Sequence, residues 1–136
     1  MTLCDAGPLF ALVNRRETPH HASCVSALSR LSQPLVTTWP CLAEAMYLAG
    51  RHGGWAMQRL LWDYLLRDAL TIHNLTAGEV QRMRTLMEKY SDLPMDLADA
   101  SLVAAAESLG ETTVFTVDAH FRVYRLPDGA AFAVVP

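Results

Sequence analysis

Apolar residues along the 136-residue chain come in two alternating kinds of run. Short, uninterrupted blocks occur at Thr2-Leu3-Cys4, Pro34-Leu35-Val36-Thr37-Thr38, Leu70-Thr71-Ile72 and Thr112-Thr113-Val114-Phe115-Thr116-Val117. Such blocks predict strands buried on both faces. Between them lie longer stretches with helical spacing. Ala6-Gly7-Pro8 turns into a short helix from Leu9 to Val13, and Asn14 to Pro19 is a polar loop. His20 to Leu31 predicts a helix with Ala22, Val25 and Leu28 on one face. Pro40 suits the first turn of a helix to about Leu48, which Gly50 and Gly53-Gly54 should stop, and a further helix runs from Trp55 to Arg67. Thr76-Ala77-Gly78-Glu79 has the T-x-x-E form of a capping box and opens a helix with Val80, Met83, Leu86 and Met87 as its apolar side. Tyr90 to Pro94 breaks that helix, and another follows through Asp96 to Glu107. Val123 to Leu126 and Ala131 to Val135 predict a last strand or two around the Pro127-Asp128-Gly129 turn.

Strands alternating with helices predict an α/β fold with a mainly parallel sheet. No repeat, linker or low-complexity tract interrupts the pattern, so residues 1–136 are expected to form one domain. A hydrophobic content of 51% with 18% charged residues excludes a disordered chain. The formal net charge of −3 gives no global basic signature for nucleic acid. Metal bound to a few of the acids would reverse that sign. Lys89 is the only lysine, and the remaining basic residues are arginines, the better fork for phosphate oxygens. Cys4, Cys24 and Cys41 are odd in number, lack C-x-x-C spacing and sit in apolar contexts. They suggest a reduced, cytoplasmic protein with buried thiols. The N-terminus lacks a signal-peptide pattern, and no run approaches the ~18 apolar residues of a membrane span.

Four acids interrupt the apolar pattern. Asp5 and Asp118 each stand at the carboxyl end of an apolar strand, where ligand crevices form in open α/β sheets. Glu44 is the only charged residue between Arg30 and Arg51, with no basic partner three or four positions away. Asp99 shares its helix face with Met95, Leu102, Val103 and Ala106. An unpaired carboxylate there would cost several kcal/mol, on the order expected for a desolvated charge, or keep its proton. Asp96, one turn earlier, lies near the helix N-terminus, where the macrodipole favours negative charge without any ligand. Clustered carboxylates cannot all ionise without a cation. Oxygen donors with little nitrogen or sulfur select Mg²⁺ or Mn²⁺, ions suited to phosphoryl chemistry.

The other polar positions carry weaker signals. His20-His21 lacks zinc-type spacing and suits a cap or the surface. Ser101 and Thr116 are placed to orient acids or water, but no Ser-His-Asp grouping accompanies them. Trp39, Trp55 and Trp62 fit a core or an interface better than a stacking platform. Arg15, Arg16, Arg51, Arg122 and Arg125 flank the acidic elements and are candidates for a polynucleotide backbone.

Four segments, taken in order, resemble the PIN-domain nucleases, in particular the VapC-type toxins of toxin–antitoxin pairs. They are Leu3-Cys4-Asp5-Ala6-Gly7-Pro8-Leu9, Thr37-Thr38-Trp39-Pro40-Cys41-Leu42-Ala43-Glu44-Ala45, Asp96-Leu97-Ala98-Asp99-Ala100-Ser101-Leu102-Val103-Ala104, and Phe115-Thr116-Val117-Asp118 with His120-Phe121. The resemblance spans nearly the whole chain. It implies a three-layer α/β/α sandwich and Mg²⁺- or Mn²⁺-dependent endonucleolytic cleavage of RNA. It also implies a homodimer and a cognate antitoxin that inserts a segment into the active-site groove. Asp5, Glu44, Asp99 and Asp118 then become the catalytic, metal-binding acids, with Asp96 and Thr116 as auxiliaries and Arg15, Arg16 and Arg122 as RNA contacts. The chain departs from the pattern twice. Ala6-Gly7 stands where many relatives have hydroxyl residues after the first acid, and His120 stands where an Asp is often found. The first departure keeps a rival in play, a PIN-like RNA- or protein-binding module without catalysis. A phospho-acceptor receiver is disfavoured, because the only lysine, Lys89, falls late in a helix rather than at a strand end.

Overall fold

In a computed structural model, which describes residues 1–16 and 20–136, five short parallel strands form one sheet. They are β1 (Thr2–Cys4), β2 (Leu35–Thr37), β3 (Leu70–Ile72), β4 (Thr113–Phe115) and β5 (Ala133–Val135), in the order β3-β2-β1-β4-β5. The register pairs Leu3 with Val36 on one side and with Val114 on the other. β1 is thus the centre of the sheet, and all three of its residues are buried. The chain leaves β1 towards β2 and β3 but returns on the opposite side as β4 and β5. The switch point therefore lies between the carboxyl ends of β1 and β4, where a crevice opens in this topology.

Helices flank the sheet: α1 (Ala6–Val13), α2 (His20–Leu28), α3 (Trp39–Leu66), α4 (Ala77–Lys89) and α5 (Leu97–Leu109), with a 3-10 turn at Ala119–Arg122. α1 packs on α2 and α3, and α4 on α5. The expected α/β/α sandwich with a parallel sheet is what forms. Most helix starts follow from local chemistry. Thr76 Oγ1 accepts from Glu79 N at 3.2 Å while Glu79 Oε1 accepts from Thr76 N at 3.0 Å, which closes the expected capping box. Pro40 occupies the first turn of α3, behind the Thr38 cap.

Several sequence expectations are corrected. α1 begins at Ala6 rather than Leu9, because the Asp5 carboxylate caps it. The first part of α3 runs past Leu48 and through Gly50, but the expected break at Gly53-Gly54 is there: Gly54 leaves helical geometry (φ 64°, ψ −158°), where a side chain would be strained, and the expected second helical stretch follows to Leu66. α2 does not bury the Ala22–Val25–Leu28 face: Val25 is exposed, and Cys24 and Ala27 go into the core. These small residues suit the contact with α1, to which His21 Nδ1 adds a 2.8 Å hydrogen bond at Ala11 O. In α4 Val80 faces solvent while Met83 and Leu86 are buried. The final segment contributes one strand, β5, plus an isolated antiparallel bridge between Arg125 and Ala131. Trp39, Trp55 and Trp62 are all exposed and not part of the core. No helix among the described residues is long and apolar enough to cross a membrane. Part of the polar loop read at residues 14–19, namely 17–19, lies outside the described residues.

α5 departs furthest from the sequence picture. Instead of one apolar stripe, every residue from Ala98 to Ala106 is buried, as for a helix enclosed on nearly all sides. Alanines at 98, 100, 104, 105 and 106 let neighbouring elements approach it closely, and Asp99 is carried inside with them.

Candidate metal centre

The switch-point crevice holds a cavity of about 210 Å³ lined by Asp5, Ala6, Gly7, Glu44, Asp96, Asp99, Val117 and Asp118. Its wall has five carboxylates and no lysine, arginine or histidine. Four elements and the loop after β4 converge there. Asp5 follows β1 and caps α1, Glu44 projects from α3, Asp96 caps α5, Asp99 sits in its first turn, and Asp118 caps the 3-10 turn beyond β4.

Asp5 is 5% exposed and firmly held. Its Oδ1 accepts from Ala6 N at 2.7 Å, and its Oδ2 accepts from the Thr116 hydroxyl at 2.8 Å. The same Thr116 Oγ1 accepts from Asp118 N at 3.0 Å, so one hydroxyl fixes two of the acids. Burial raises the Asp5 pKa; the Thr116 and Ala6 hydrogen bonds oppose the rise, and the Asp118 and Asp96 charges add to it. The thiol of Cys41, 3.8 Å from Asp5 Oδ1, is pushed up to about 12 by burial and then by the Asp5 charge, so it stays protonated.

Thr116 also bears on the first sequence departure. A side chain at residue 7 would displace Val117, because a Cβ there would stand 2.6 Å from Val117 Cγ2. The hydroxyl that orients Asp5 comes from β4's end instead.

Asp99 is 4% exposed. Burial pushes its pKa up to about 8; the Tyr124 hydroxyl, donating to Oδ2 at 2.7 Å, opposes the rise, and Asp5, Asp96 and Asp118 reinforce it. Tyr124 is fully buried and was not singled out in the sequence. Its place between Arg122 and Arg125, shortly after Asp118, is the one sequence feature near it that bears on the site. Asp96 is exposed, and its Oδ1 accepts from Asp99 N at 2.7 Å, which anchors the helix start that carries Asp99. Glu44 is exposed at the rim; desolvation against the wall, then Asp96, Asp5 and Asp118, raise its pKa. Asp118 is half-buried, and its Oδ1 accepts from His120 N at 2.9 Å.

The donor set fits a divalent cation. Burial and the neighbouring charges together oppose ionisation of Asp5, Glu44 and Asp99, and an ion bound among them would reverse both effects. Among the described residues, one group of three has ligand atoms all within 4.8 Å of one another: Asp99, Asp118 and His120.

The candidate RNA-contact arginines divide. Arg122 lines a second cavity of about 240 Å³, which shares Thr116, Val117 and Asp118 with the acidic elements. Arg15 and Arg16 line a separate one with His52 and Met57 at the far end of α1. The 8 residues of that helix place them ~12 Å from Asp5 at ~1.5 Å per residue.

The class these features define is a parallel α/β domain with an acid-walled crevice at its switch point. The sequence model of the PIN domain matches residues 2–126, and the chain belongs to the PIN domain family. Ribonuclease VapC26 of Mycobacterium tuberculosis is 27% identical over 135 residues, covering 98% of this chain and 99% of the relative. Among solved structures, Mycobacterium tuberculosis VapC20, described as a sarcin-ricin loop cleaving toxin, superposes with a TM-score of 0.85 at 15% identity over the whole of both chains. A toxin–antitoxin complex from Klebsiella pneumoniae gives 0.70 at 18% identity over 100% of this chain and 97% of that one. At these identities the superpositions speak for the fold alone.

Proposed function

We propose that this protein is a Mg²⁺- or Mn²⁺-dependent endoribonuclease and the toxin of a toxin–antitoxin pair, acting in the cytoplasm. One observation carries the reading: five carboxylates from four separate parts of the fold, two of them at the start of α5, line one small cavity whose wall contains no basic side chain. The ribonuclease named among its relatives supports RNA as the substrate. A bound divalent ion supplies a water of lowered pKa and stabilises the leaving oxygen of a phosphodiester. Asp5, Glu44 and Asp99 would hold the ion, and Asp118 would complete the set or hold water. The Thr116 hydroxyl keeps one Asp5 oxygen occupied, and Ala6 N the other, so the carboxylate cannot rotate away from the cavity. Asp96 fixes the first turn of α5 and with it the Asp99 backbone. Arg122, next to Asp118 in the adjoining cavity, takes a backbone phosphate of the RNA, and Arg15 and Arg16, in a separate cavity at the far end of α1, take phosphates further from the acids. A cognate antitoxin and a homodimer belong to the same proposal, with residues 1–136 acting as one domain.

The test is cleavage of RNA by the purified protein with Mg²⁺ or Mn²⁺ and with chelator, alongside Asp5→Asn and Asp99→Asn. Cleavage should need the ion and vanish in both variants. Persistence at the wild-type rate in both would sink the proposal, and an absence of both cleavage and metal-induced stabilisation would favour a non-catalytic binding module. A small neighbouring reading frame encoding a DNA-binding protein would support the antitoxin.

A further inference from the structure

We propose that His120 is a direct metal ligand, forming with Asp99 and Asp118 a mixed nitrogen–oxygen seat that makes this centre prefer Mn²⁺ and similar transition-metal ions over Mg²⁺. The inference rests on the acid cavity being a divalent-cation site. The tightest convergence of ligand atoms among the described residues is not an all-carboxylate set: it joins Asp99 and Asp118 to an imidazole. His120 Nδ1 lies 3.6 Å from Asp118 Oδ1. Ligand atoms at ~2.1 Å from a common ion stand ~3 to ~4.2 Å apart, so this pair already has the separation of two ligands on one centre.

The local fold holds the imidazole there. Asp118 caps the 3-10 turn and accepts from His120 N, so the backbone of residue 120 is tied to the same carboxylate. The Tyr124 ring meets His120 in an edge-on contact at 6.4 Å, while the Tyr124 hydroxyl donates to Asp99. One buried tyrosine therefore orients two members of the proposed seat. The His120 side chain is 41% exposed, so the imidazole can adjust to an ion without disturbing the core. Replacing an oxygen donor by imidazole costs Mg²⁺, which is satisfied by hard oxygens, and favours first-row transition ions.

The test is calorimetric titration of the metal-free full chain with Mn²⁺ and, separately, Mg²⁺, for the wild type and His120→Ala. Pulsed EPR of the Mn²⁺-loaded wild type adds a readout independent of any variant. The expected result is tighter Mn²⁺ than Mg²⁺ binding and ¹⁴N coupling from a directly bound imidazole. His120→Ala should weaken Mn²⁺ by at least about tenfold, the scale on which even outer partners of metal ligands act. Its Mg²⁺ affinity should stay nearly unchanged. Equal losses for both ions, or no nitrogen coupling in the wild type, would mean that His120 only positions Asp118, and would overturn the inference alone. If the wild type bound neither ion, the reading of the cavity as a metal centre would fall with it.

Discussion

Asp99→Asn should stabilise the metal-free protein at neutral pH, although it removes a buried residue of the candidate centre. In the folded protein Asp99 keeps its proton up to about pH 8, chiefly because it is buried and then because Asp5, Asp96 and Asp118 surround it. In the unfolded chain it loses that proton near the ordinary aspartate value of ~3.9. Between these two values unfolding releases a proton, so stability is greatest below pH ~4 and falls as pH rises towards 8. Each pH unit in that window is worth ~1.4 kcal/mol, which sets a ceiling of about 4 kcal/mol at pH 7. The crevice is open to water, which screens these charges, so about 1–2 kcal/mol is the expected effect. Asparagine is neutral in both states and avoids the loss, and its carbonyl can still accept from the Tyr124 hydroxyl. The assay is urea unfolding with chelator at pH 4 and pH 7.5. The variant should match the wild type at pH 4 and exceed it at pH 7.5. With Mn²⁺ the order should invert, because only the wild type gains the ion's binding energy. A variant less stable than wild type at pH 7.5, or an advantage independent of pH, would refute the reasoning.

Three further outcomes follow from the geometry. Tyr124→Phe removes the hydrogen bond that favours ionised Asp99, so Mn²⁺ binding should need a higher pH, at a stability cost of about 1 kcal/mol; a titration midpoint that stays put or moves down would contradict this. Gly7→Ala drives a Cβ against Val117, whose exposed side chain can swing and disturb the neighbouring Asp118. RNA cleavage should fall by about tenfold or more, on the scale of small misplacements at reacting groups, with stability within ~1 kcal/mol of wild type. Adding Val117→Ala should restore much of the loss, and a double variant no better than the single one would count against the contact. Thr76→Ala opens the α4 capping box and should cost about 1 kcal/mol in urea unfolding, with cleavage per folded molecule unchanged.

Much of the architecture was legible before any coordinates, because its signals are local. Apolar blocks at Leu3, Val36 and Val114 mark strands whatever surrounds them, and Thr76-Ala77-Gly78-Glu79 writes its own helix start. The acids were legible for a related reason. A carboxylate such as Asp99 among Leu102, Val103 and Ala106 is costly enough to need explanation, and Asp5 and Asp118 stood at strand ends. Errors fell where packing overrides periodicity. α2 buries Cys24 and Ala27 instead of Val25, since the fit against α1 selects the smaller face. Glycine at residue 50 continues a helix, since an intrinsic cost of ~1 kcal/mol is readily outweighed by burial along α3.

The sequence alone determined which residue types alternate, where helices are capped and which acids are out of place, all of them properties of neighbours along the chain. Tertiary structure decided which of those acids meet. The switch of direction at β1 brings Asp5 beside Thr116 across 111 positions and sets Tyr124 against Asp99 across 25. It also placed Arg15 and Arg16 in a cavity separate from the crevice, at the far end of α1. Distances of this kind depend on crossing order and helix docking, for which a single sequence carries no local mark.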